Sequence, residues 1–484
     1  CFSGSVSCTL IPSMYMYSAL RPFCSLISLR ITGPLFEKTE QVSVAIKRDR
    51  ADNLNILYIS SDTGPYVNFI AGKKIIFSTQ SMNLNLLTSY IVLAFLPLGK
   101  TLLASTGLAP EVTDLNAADI SFEKEKGIPY LKKPFITRKP RDRNDQLTVG
   151  ELGKDGGKKE KILHYVRKLA EPADSPKHGK TDSLLVAYKD KLIFESYFRR
   201  GRANYPHYQM SITKSYTAYA IGRAIQLGHL SMEDLHKPVV SFLKEIKTNQ
   251  LAKGADKITL HQAMQMRSGI RLPKKKIGNF MQKPNLLRGQ GQARAYLQFT
   301  EDLPVLPNSS FQPFKYQAAD TVFTMQVLES IVPGSAEGFI RDELLKPMGI
   351  LNYGWQEDLS GLPKSAAGSS LRSRDMIKMG LLTLHQGKWK GKQHLPKDFV
   401  KRATSPLVQT NEENFYGYFW WSQTREINGK KYPIIQGRGA GGQFIFVFPS
   451  LDLVVAATAH NKGMGRMLKE LPEAIAPSFV QELK

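Results

Sequence analysis

Apolar and polar positions in the middle of the chain follow two different periods. Apolar residues recur at helical spacing over residues 162–169, which predicts an amphipathic helix. Apolar runs over residues 183–188 and 192–198 flank a polar Lys-Asp-Lys at 189–191, a pattern that predicts two strands joined by a tight turn. A further run at helical spacing, residues 211–225, follows this strand pair.

A second predicted strand pair lies near the C-terminus. Residues 443–448 and 453–458 are apolar and flank Pro-Ser-Leu-Asp at 449–452, and residues 468–483 then have a helical pattern. Strand pairs at both ends of a region with helical sequence between them favour an α+β fold. We therefore expect an antiparallel sheet built from N- and C-terminal strands, flanked by helices and accompanied by a mostly helical subdomain.

The first 81 residues show neither sustained helical periodicity nor clear repeats. Met82 precedes a short apolar run, residues 86–98, which falls below the roughly 18 to 20 residues of a membrane-spanning helix and suits the core of a secretory signal. We interpret residues 82–105 as an export signal and residues 1–81 as upstream read-through. This predicts a periplasmic or secreted protein without an integral membrane span in its mature form. The alternative is that the run is a buried strand or helix.

Residues 106–157 are polar, with charged clusters at 138–143 and 153–159. Such a composition predicts a surface-hugging arm or linker. The folded domain proper is expected to span residues 158–484.

The amino-acid composition limits the functions that the protein can have. The chain is 42% hydrophobic, enough for a sizeable core, and has a formal net charge of +24. This charge predicts attraction to anionic surfaces, but no zinc-finger spacing, RNA-recognition motif or basic-zipper repeat supports nucleic-acid binding. The cysteines are Cys1, Cys8 and Cys24, which excludes a Cys nucleophile, a Cys-ligated metal and a disulfide from the rest of the chain. No HExxH motif or closely spaced His pair indicates zinc, so no metal site is expected.

The helical run that follows the first strand pair opens with Ser211-Ile-Thr-Lys214. Residues three apart share one face of a helix, so the two side chains can hydrogen-bond. A serine hydroxyl is a weak nucleophile until a base removes its proton, and a lysine can do so only when burial or a neighbouring cation lowers its pKa. Backbone N–H groups at a helix start can also receive developing negative charge. Ser211 and Lys214 are therefore candidates for nucleophile and base.

The spacing alone is weak evidence, because Ser121-Phe-Glu-Lys124 and Ser241-Phe-Leu-Lys244 match it too. Only Ser211 follows a strand pair and opens a helix, whereas Ser121 lies in the polar segment and Ser241 in a predicted charged helix. No Gly-x-Ser-x-Gly elbow occurs, which disfavours an α/β-hydrolase with a Ser-His-Asp triad.

From about residue 180 to 465 the chain resembles the penicillin-recognising serine hydrolases, the superfamily of class C β-lactamases, DD-peptidases and esterases that includes 6-aminohexanoate-dimer hydrolase. Besides Ser211-x-x-Lys214, the resemblance rests on four ordered segments, at residues 258–270, 370–376, 387–393 and 416–421. It implies a β-lactamase/transpeptidase-like fold and an acyl-enzyme mechanism that needs no metal or organic cofactor.

The second motif of this family, Tyr-x-Asn or Tyr-x-Ser, corresponds to Tyr316-Gln-Ala318. By this resemblance, Tyr316 relays a proton between nucleophile, base and leaving group. Ala318 departs from this pattern, because its side chain cannot make a polar contact to substrate or to Lys214. Ester or amide cleavage is therefore favoured over β-lactam turnover. The alternative is that Tyr316 is a buried aromatic at the foot of a helix predicted over residues 321–331.

The third motif corresponds to residues 437–443, Gly-Arg-Gly-Ala-Gly-Gly-Gln, just before the C-terminal strand pair. The resemblance implies that the Ala440 N–H joins the Ser211 N–H in an oxyanion hole. It assigns substrate binding to four residues: Arg438, Gly439, Gly441 and Gly442. The Arg438 charge would lower the pKa of Lys214 or hold a substrate carboxylate. The alternative is a flexible Gly-rich turn with a solvated arginine.

We therefore expect a serine hydrolase that acts on a small-molecule ester or amide, or on a peptide-like substrate, by two-step acyl transfer. The alternative is a non-catalytic relative that binds peptidoglycan or another anionic polymer through its basic surface. Nucleic-acid binding is not expected, since it would require a salt-dependent complex. Trp420 and Trp421 are candidates for the substrate cleft, although paired aromatics are more often core. No role is assigned to His460.

Overall fold

The computed structural model describes residues 107–171, 179–273, 282–304, 312–464 and 466–480, residues 275 and 278, and four strands in the N-terminal part. The chain divides into two compact units, residues 1–98 and 99–484. In the first unit the strands form an antiparallel meander in sequence order: β1 (Cys24–Ile31), β2 (Glu40–Arg48), β3 (Asn55–Ser61) and β4 (Gly64–Ile70). Met82 and the predicted export signal, residues 82–105, lie outside the described residues, so that interpretation stays a prediction.

The second unit is built around one large sheet. Its described strands are β5 (Phe135–Thr137), β6 (Thr148–Val149), β7 (Thr181–Tyr188), β8 (Lys191–Tyr197), β9 (His207–Tyr208), β10 (Gly354–Trp355), β11 (Ser369–Leu371), β12 (Lys388–Trp389), β13 (Lys392–Gln393), β14 (Val408–Gln409), β15 (Asn414–Tyr416), β16 (Trp421–Ile427), β17 (Lys430–Gly439), β18 (Gln443–Phe448) and β19 (Leu453–Ala459). Ten of them form a sheet in the order β14-β15-β16-β17-β18-β19-β7-β8-β5, with β6 pairing in parallel with β8 and the other pairs antiparallel. Two small sheets, β10-β11-β9 and β12-β13, lie apart from it.

Helices cover both faces of this sheet. The described ones are α1 (Phe122–Lys126), α2 (Lys159–Leu169), α3 (Ile212–Gln226), α4 (Leu260–Met264), α5 (Gly291–Phe299), α6 (Ala319–Ile331), α7 (Ala336–Phe339), α8 (Ser373–Leu384), α9 (Lys397–Thr404) and α10 (Met467–Ile475). Apolar residues of α2 and α10 share one buried cluster with the sheet, and those of α3 and α8 share a larger cluster on the other face. None of the described helices is long and apolar enough to cross a membrane.

The predicted α+β class is confirmed. The two predicted strand pairs are β7–β8 and β18–β19, and β19 pairs with β7, which joins the two ends of the domain in one sheet. The turn between β7 and β8 places Lys189 and Asp190 at φ 46° and 64°. Positive φ at both central residues gives a two-residue hairpin whose twist matches that of its strands.

Two predicted helices differ from the structure. The helix predicted over residues 468–483 ends at Ile475 and continues as a short 3-10 turn, Ala476–Ser478. Pro477 contributes to this end, because proline has no N–H to donate to the carbonyl of the preceding helical turn. Ser241 closes a 3-10 turn, Val239–Ser241, where its hydroxyl donates to the Pro238 carbonyl at 2.7 Å, rather than lying in a helix.

Residues 107–157, which composition predicts as an arm or linker, contribute two strands to the large sheet. β5 and β6 both pair with β8, and Leu147 and Leu152 are buried in the cores on its opposite faces. The few buried residues are widely spaced among exposed charged ones, so they leave no periodic pattern in the sequence. Ser121 of this segment caps α1 by accepting the Lys124 N–H, so its hydroxyl serves the helix end.

Candidate active site

The backbone turns sharply immediately before Ser211. Met210 follows β9 closely and has φ 50°, a left-handed conformation that costs a non-glycine residue about 1–3 kcal/mol. Ser211 then has φ −72° and ψ −6° and stands at the N-cap of α3 without a side-chain capping hydrogen bond. The strained turn therefore presents the Ser211 hydroxyl at the point where the helix begins, and capping does not occupy it.

Lys214 lies one helical turn further and reaches back to Ser211. Its Nζ lies 3.0 Å from Ser211 Oγ, and only 4% of the residue is exposed. Burial lowers the pKa of Lys214 to about 7, because the protonated amine loses hydration. Burial, rather than the charge of Arg438, is thus the cause of the shift. An amine with this pKa is partly neutral at pH 7 and able to accept a proton.

The loop before β11 supplies the polar contact to Lys214 that the Ala318 side chain cannot make. Lys214 Nζ donates a 2.6 Å hydrogen bond to the Ala366 carbonyl. The loop is held against α3 by Thr213, whose Oγ1 accepts the N–H groups of Gly368 and Ser369 at 3.2 Å each. A backbone carbonyl is therefore a polar neighbour of the amine in addition to the Ser211 hydroxyl.

Tyr316 lies beside the same two residues. The Lys214 ammonium nitrogen is 4.9 Å from the centre of the Tyr316 ring, and 40% of Tyr316 is exposed. Partial loss of hydration raises the pKa of the Tyr316 phenol, whereas its interaction with the Ser211 hydroxyl and the charge of Arg438 act in the opposite direction. The structure thus brings Ser211, Lys214 and Tyr316 together, and Tyr316 is not a buried core aromatic.

The residues on either side of Tyr316 are held by hydrogen bonds, one to a neighbouring loop and one to the start of α6. The Lys315 N–H donates to the Met266 carbonyl at 2.9 Å, and Gln317 Nε2 donates to Asp320 Oδ2 at 2.5 Å. Asp320 is fully buried and also accepts the Ser268 N–H at 3.1 Å. Burial raises the pKa of this carboxyl to about 6, since the ionised form loses hydration.

The end of β17 passes directly against the segment that leads to Ser211. A Cβ atom added at Gly439 would lie 2.4 Å from the Gln209 carbonyl oxygen, so only glycine fits there. At Gly437 the nearest atom to an added Cβ would be Ile212 Cγ2 at 3.3 Å, on the first turn of α3. The third motif and the start of α3 are therefore in contact.

The turn after β17 carries the predicted oxyanion donor. Among the described residues, neither the Ala440 N–H nor the Ser211 N–H donates a hydrogen bond to the protein. Gly441 and Gly442 have φ 87° and 101°, and their N–H groups donate to the carbonyls of Gly463 and Gly439. These two glycines therefore shape and close the turn, and their own N–H groups are already used.

Arg438 is buried beside the catalytic candidates rather than solvated. Its guanidinium lies 4.7 Å from the centre of the Trp421 ring and donates to Asn414 Oδ1 at 2.6 Å and Gln436 Oε1 at 2.5 Å. Burial, reinforced by the charge of Arg425, lowers the pKa of Arg438 to about 10. Within the described part of the chain no carboxylate forms an ion pair with it, and its hydrogen bonds go to the neutral amide oxygens of Asn414, Gln423 and Gln436.

Of the two adjacent tryptophans, one lies in the core and the other lies at the candidate site. Trp420 is fully buried, whereas Trp421 is partly exposed, and the centre of its ring lies 5.6 Å from the centre of the Tyr316 ring.

Sequence reasoning missed the Ala366 carbonyl and the strained Met210. Neither has a signal in the sequence, since one is a backbone atom and the other is a backbone conformation. In the described ranges, no cluster of His, Cys, Asp or Glu side chains could hold a metal ion.

Comparisons with known proteins agree with this architecture. A family model described as Beta-lactamase matches residues 166–477, which is more than half of the chain. No curated protein matches the sequence.

Solved structures share the fold at low sequence identity. A Bacillus anthracis protein provisionally assigned as a 6-aminohexanoate-dimer hydrolase is 18% identical, with 75% of this chain and 96% of that chain covered and a TM-score of 0.51. A class C beta-lactamase is 15% identical, with 67% and 98% covered and a TM-score of 0.52. A penicillin-binding protein homologue from Caulobacter crescentus is 13% identical, with 65% and 96% covered and a TM-score of 0.50. Because the family match spans most of the second unit, the chain belongs to the beta-lactamase family, within the penicillin-recognising serine hydrolase superfamily.

Proposed function

We propose that this protein hydrolyses an ester or amide bond through an acyl-enzyme formed on Ser211. The observation that carries the proposal is the contact between Lys214 Nζ and Ser211 Oγ, 3.0 Å, made by a lysine whose pKa is lowered to about 7. A buried amine near neutrality beside a serine hydroxyl is the arrangement that activates a serine without histidine.

In the proposed mechanism, neutral Lys214 takes the proton of Ser211 as its oxygen attacks the carbonyl carbon of the substrate. The N–H groups of Ser211 and Ala440 stabilise the resulting oxyanion. Tyr316 passes the proton to the leaving group, whose departure forms the acyl-enzyme. Water then attacks the acyl carbon while the same groups accept one of its protons, and that proton passes to Ser211 Oγ as the acyl bond breaks.

Arg438 and the glycines around it form the proposed substrate-binding wall. The buried guanidinium with no carboxylate partner in the described residues favours a substrate with a carboxylate near the scissile bond. Gly439 lets the substrate approach the strand closely, while Gly441 and Gly442 hold the turn that presents Ala440. The absence of a polar side chain at Ala318 favours ester or amide cleavage over β-lactam hydrolysis.

Hydrolysis of aryl esters, small amides and a chromogenic β-lactam by the wild-type protein and by Ser211→Ala tests the proposal. We expect ester or amide turnover whose kcat/KM rises with pH to a plateau above about 7, because Lys214 must lose its proton before it can act as a base. Ser211→Ala should reduce turnover to background. Turnover by Ser211→Ala near the wild-type rate would refute the assignment. Absence of turnover with every substrate would favour the rival, a non-catalytic protein that binds an anionic polymer.

A further inference from the structure

Three residues far apart in the sequence form a hydrogen-bonded chain outside the site around Ser211. Tyr130 Oη lies 2.6 Å from His460 Nε2, and His460 Nδ1 lies 2.7 Å from Asp182 Oδ2. Asp182 belongs to β7, and His460 directly follows β19, the strand that pairs with β7. Sheet pairing therefore fixes the dyad of His460 and Asp182, and Tyr130 is brought to it by the segment before β5.

The backbone around Tyr130 is fixed on both sides. The Leu131 N–H donates to the Arg199 carbonyl at 2.8 Å, and Arg202 Nη2 donates to the Pro129 carbonyl at 2.8 Å. The phenol is therefore held against His460 by the chain on either side of it, although its own side chain reaches solvent.

The hydrogen-bond pattern defines the tautomer of His460. A carboxylate accepts hydrogen bonds, so His460 Nδ1 donates to Asp182 and Nε2 keeps its lone pair. The phenol of Tyr130 then donates to Nε2. This is the order of groups in an acid–histidine–nucleophile relay, with a phenol in the nucleophile's place.

Solvent exposure of the side chains increases from Asp182 through His460 to Tyr130. The side chains of Asp182 and His460 are 1% and 15% exposed, whereas Tyr130 is 41% exposed. Asp182 also accepts the Arg200 N–H at 3.0 Å, and the Arg200 guanidinium lies 5.9 Å from the centre of the Tyr130 ring. His460 is thus hydrogen-bonded on its buried side to Asp182, and a reagent in solvent can reach the Tyr130 phenol.

The residues of this cluster differ from those of the site around Ser211, although one turn connects the two groups. His460 follows β19, and the next residue, Asn461, donates its N–H to the Gly441 carbonyl at 2.9 Å, in the turn that carries Ala440. The mechanism proposed for Ser211 uses none of these three residues.

We propose that Tyr130 is a second nucleophile of this protein, a site of covalent acylation by activated esters that His460 and Asp182 promote. The phenol oxygen forms a bond to the acyl carbon, and the bond between that carbon and its aryloxide leaving group breaks. The phenol proton passes to His460 Nε2 and from there to the departing aryloxide. The product is an O-acyltyrosine.

Peptide-mapping mass spectrometry of Ser211→Ala treated with p-nitrophenyl acetate tests the proposal independently of Ser211. Acetylation of Tyr130 should be faster than acetylation of Tyr188 and Tyr353, two partly exposed tyrosines for which no histidine partner is described. Ser211→Ala/His460→Gln should acetylate Tyr130 about 100-fold more slowly, as expected for loss of a general base. Ser211→Ala/His164→Gln removes an exposed histidine of α2 and should behave like Ser211→Ala.

A further variant separates loss of the phenol from misfolding. Tyr130→Phe should retain the fold and lose only this adduct. Acetylation of Tyr130 no faster than that of Tyr188 and Tyr353, or a rate that His460 substitution leaves unchanged, would overturn the proposal.

Discussion

Lys214 shows the conflict between stability and function in a single residue. Its pKa falls from 10.5 to about 7 on burial, so the folded protein holds this proton less tightly than the unfolded chain does. The folded state is therefore penalised below pH 7, where the buried amine must carry a charge. The penalty diminishes as pH rises from about 7 towards 10.5, because the unfolded chain then loses its advantage in binding the proton.

Lys214→Met should stabilise the protein and inactivate it. The free energy of unfolding at pH 7 should rise by about 1–3 kcal/mol, the balance between removing the buried charge and leaving the Ala366 carbonyl without its donor. Urea unfolding at pH 7 and pH 10 measures the effect, and the gain should shrink at the higher pH. A variant no more stable than wild type at pH 7, or a gain that does not change with pH, would contradict this account of Lys214.

At the scale of elements, the contact between β17 and the start of α3 makes the site. It depends on the small residue at Gly439, which lets the strand end lie against the Gln209 carbonyl, two residues before Ser211. A shift of either element changes the position of the Ala440 N–H relative to Ser211. Misplacement by about 1 Å in such a site can cost on the order of 10² in rate.

Gly439→Ala and Gly437→Ala form a matched pair that tests this contact. The added methyl group at Gly439 would clash with backbone at 2.4 Å, whereas at Gly437 it would meet the end of the Ile212 side chain at 3.3 Å. We expect Gly439→Ala to lose about 1–3 kcal/mol of stability and most of its kcat, and Gly437→Ala to be milder in both. Thermal melting and ester kinetics measure the two effects. Equal effects of the two substitutions would argue against a close approach at Gly439.

The elements differ in how well sequence predicts them. β7, β8, β18 and β19 are buried apolar runs bounded by polar turns, so their pattern is clear. β16 lies in the outer part of the sheet and is buried only at Gln423 and Ile427, so its sequence lacks the apolar run of those four strands. The parts of the site differ in the same way. The Ser211–Lys214 spacing can be recognised in the sequence, and so can the third motif. The Ala366 carbonyl becomes a neighbour of Lys214 only through the tertiary fold.

At the scale of the whole molecule, residues 107–157 are tied to the helical layer through Arg374. Arg374 Nε lies 2.6 Å from Asp145, and its Nη1 lies 3.0 Å from Glu195 of β8. The side chains of all three residues are at least 93% buried. An arginine in the first turn of α8 therefore links a polar N-terminal segment, the sheet and a helix.

Arg374→Met should destabilise the domain by about 3–5 kcal/mol, because two carboxylates would remain buried without their cation. Urea unfolding measures the change. Arg341→Met is the control, since Arg341 pairs with Asp342 at the surface, with side chains 54% and 43% exposed, and such pairs contribute about 1 kcal/mol or less. A loss in Arg374→Met no larger than that in Arg341→Met would show that the buried network does not hold the segment.

The most direct test of the central claim is intact-protein and peptide-mapping mass spectrometry after treatment with a fluorophosphonate. We expect a rapid adduct on Ser211 that is absent in Ser211→Ala and strongly slowed in Lys214→Met, because the probe reacts with a serine that a base has activated. No adduct on the folded wild-type protein, or rapid labelling that leaves Ser211 unmodified, would contradict a nucleophilic Ser211.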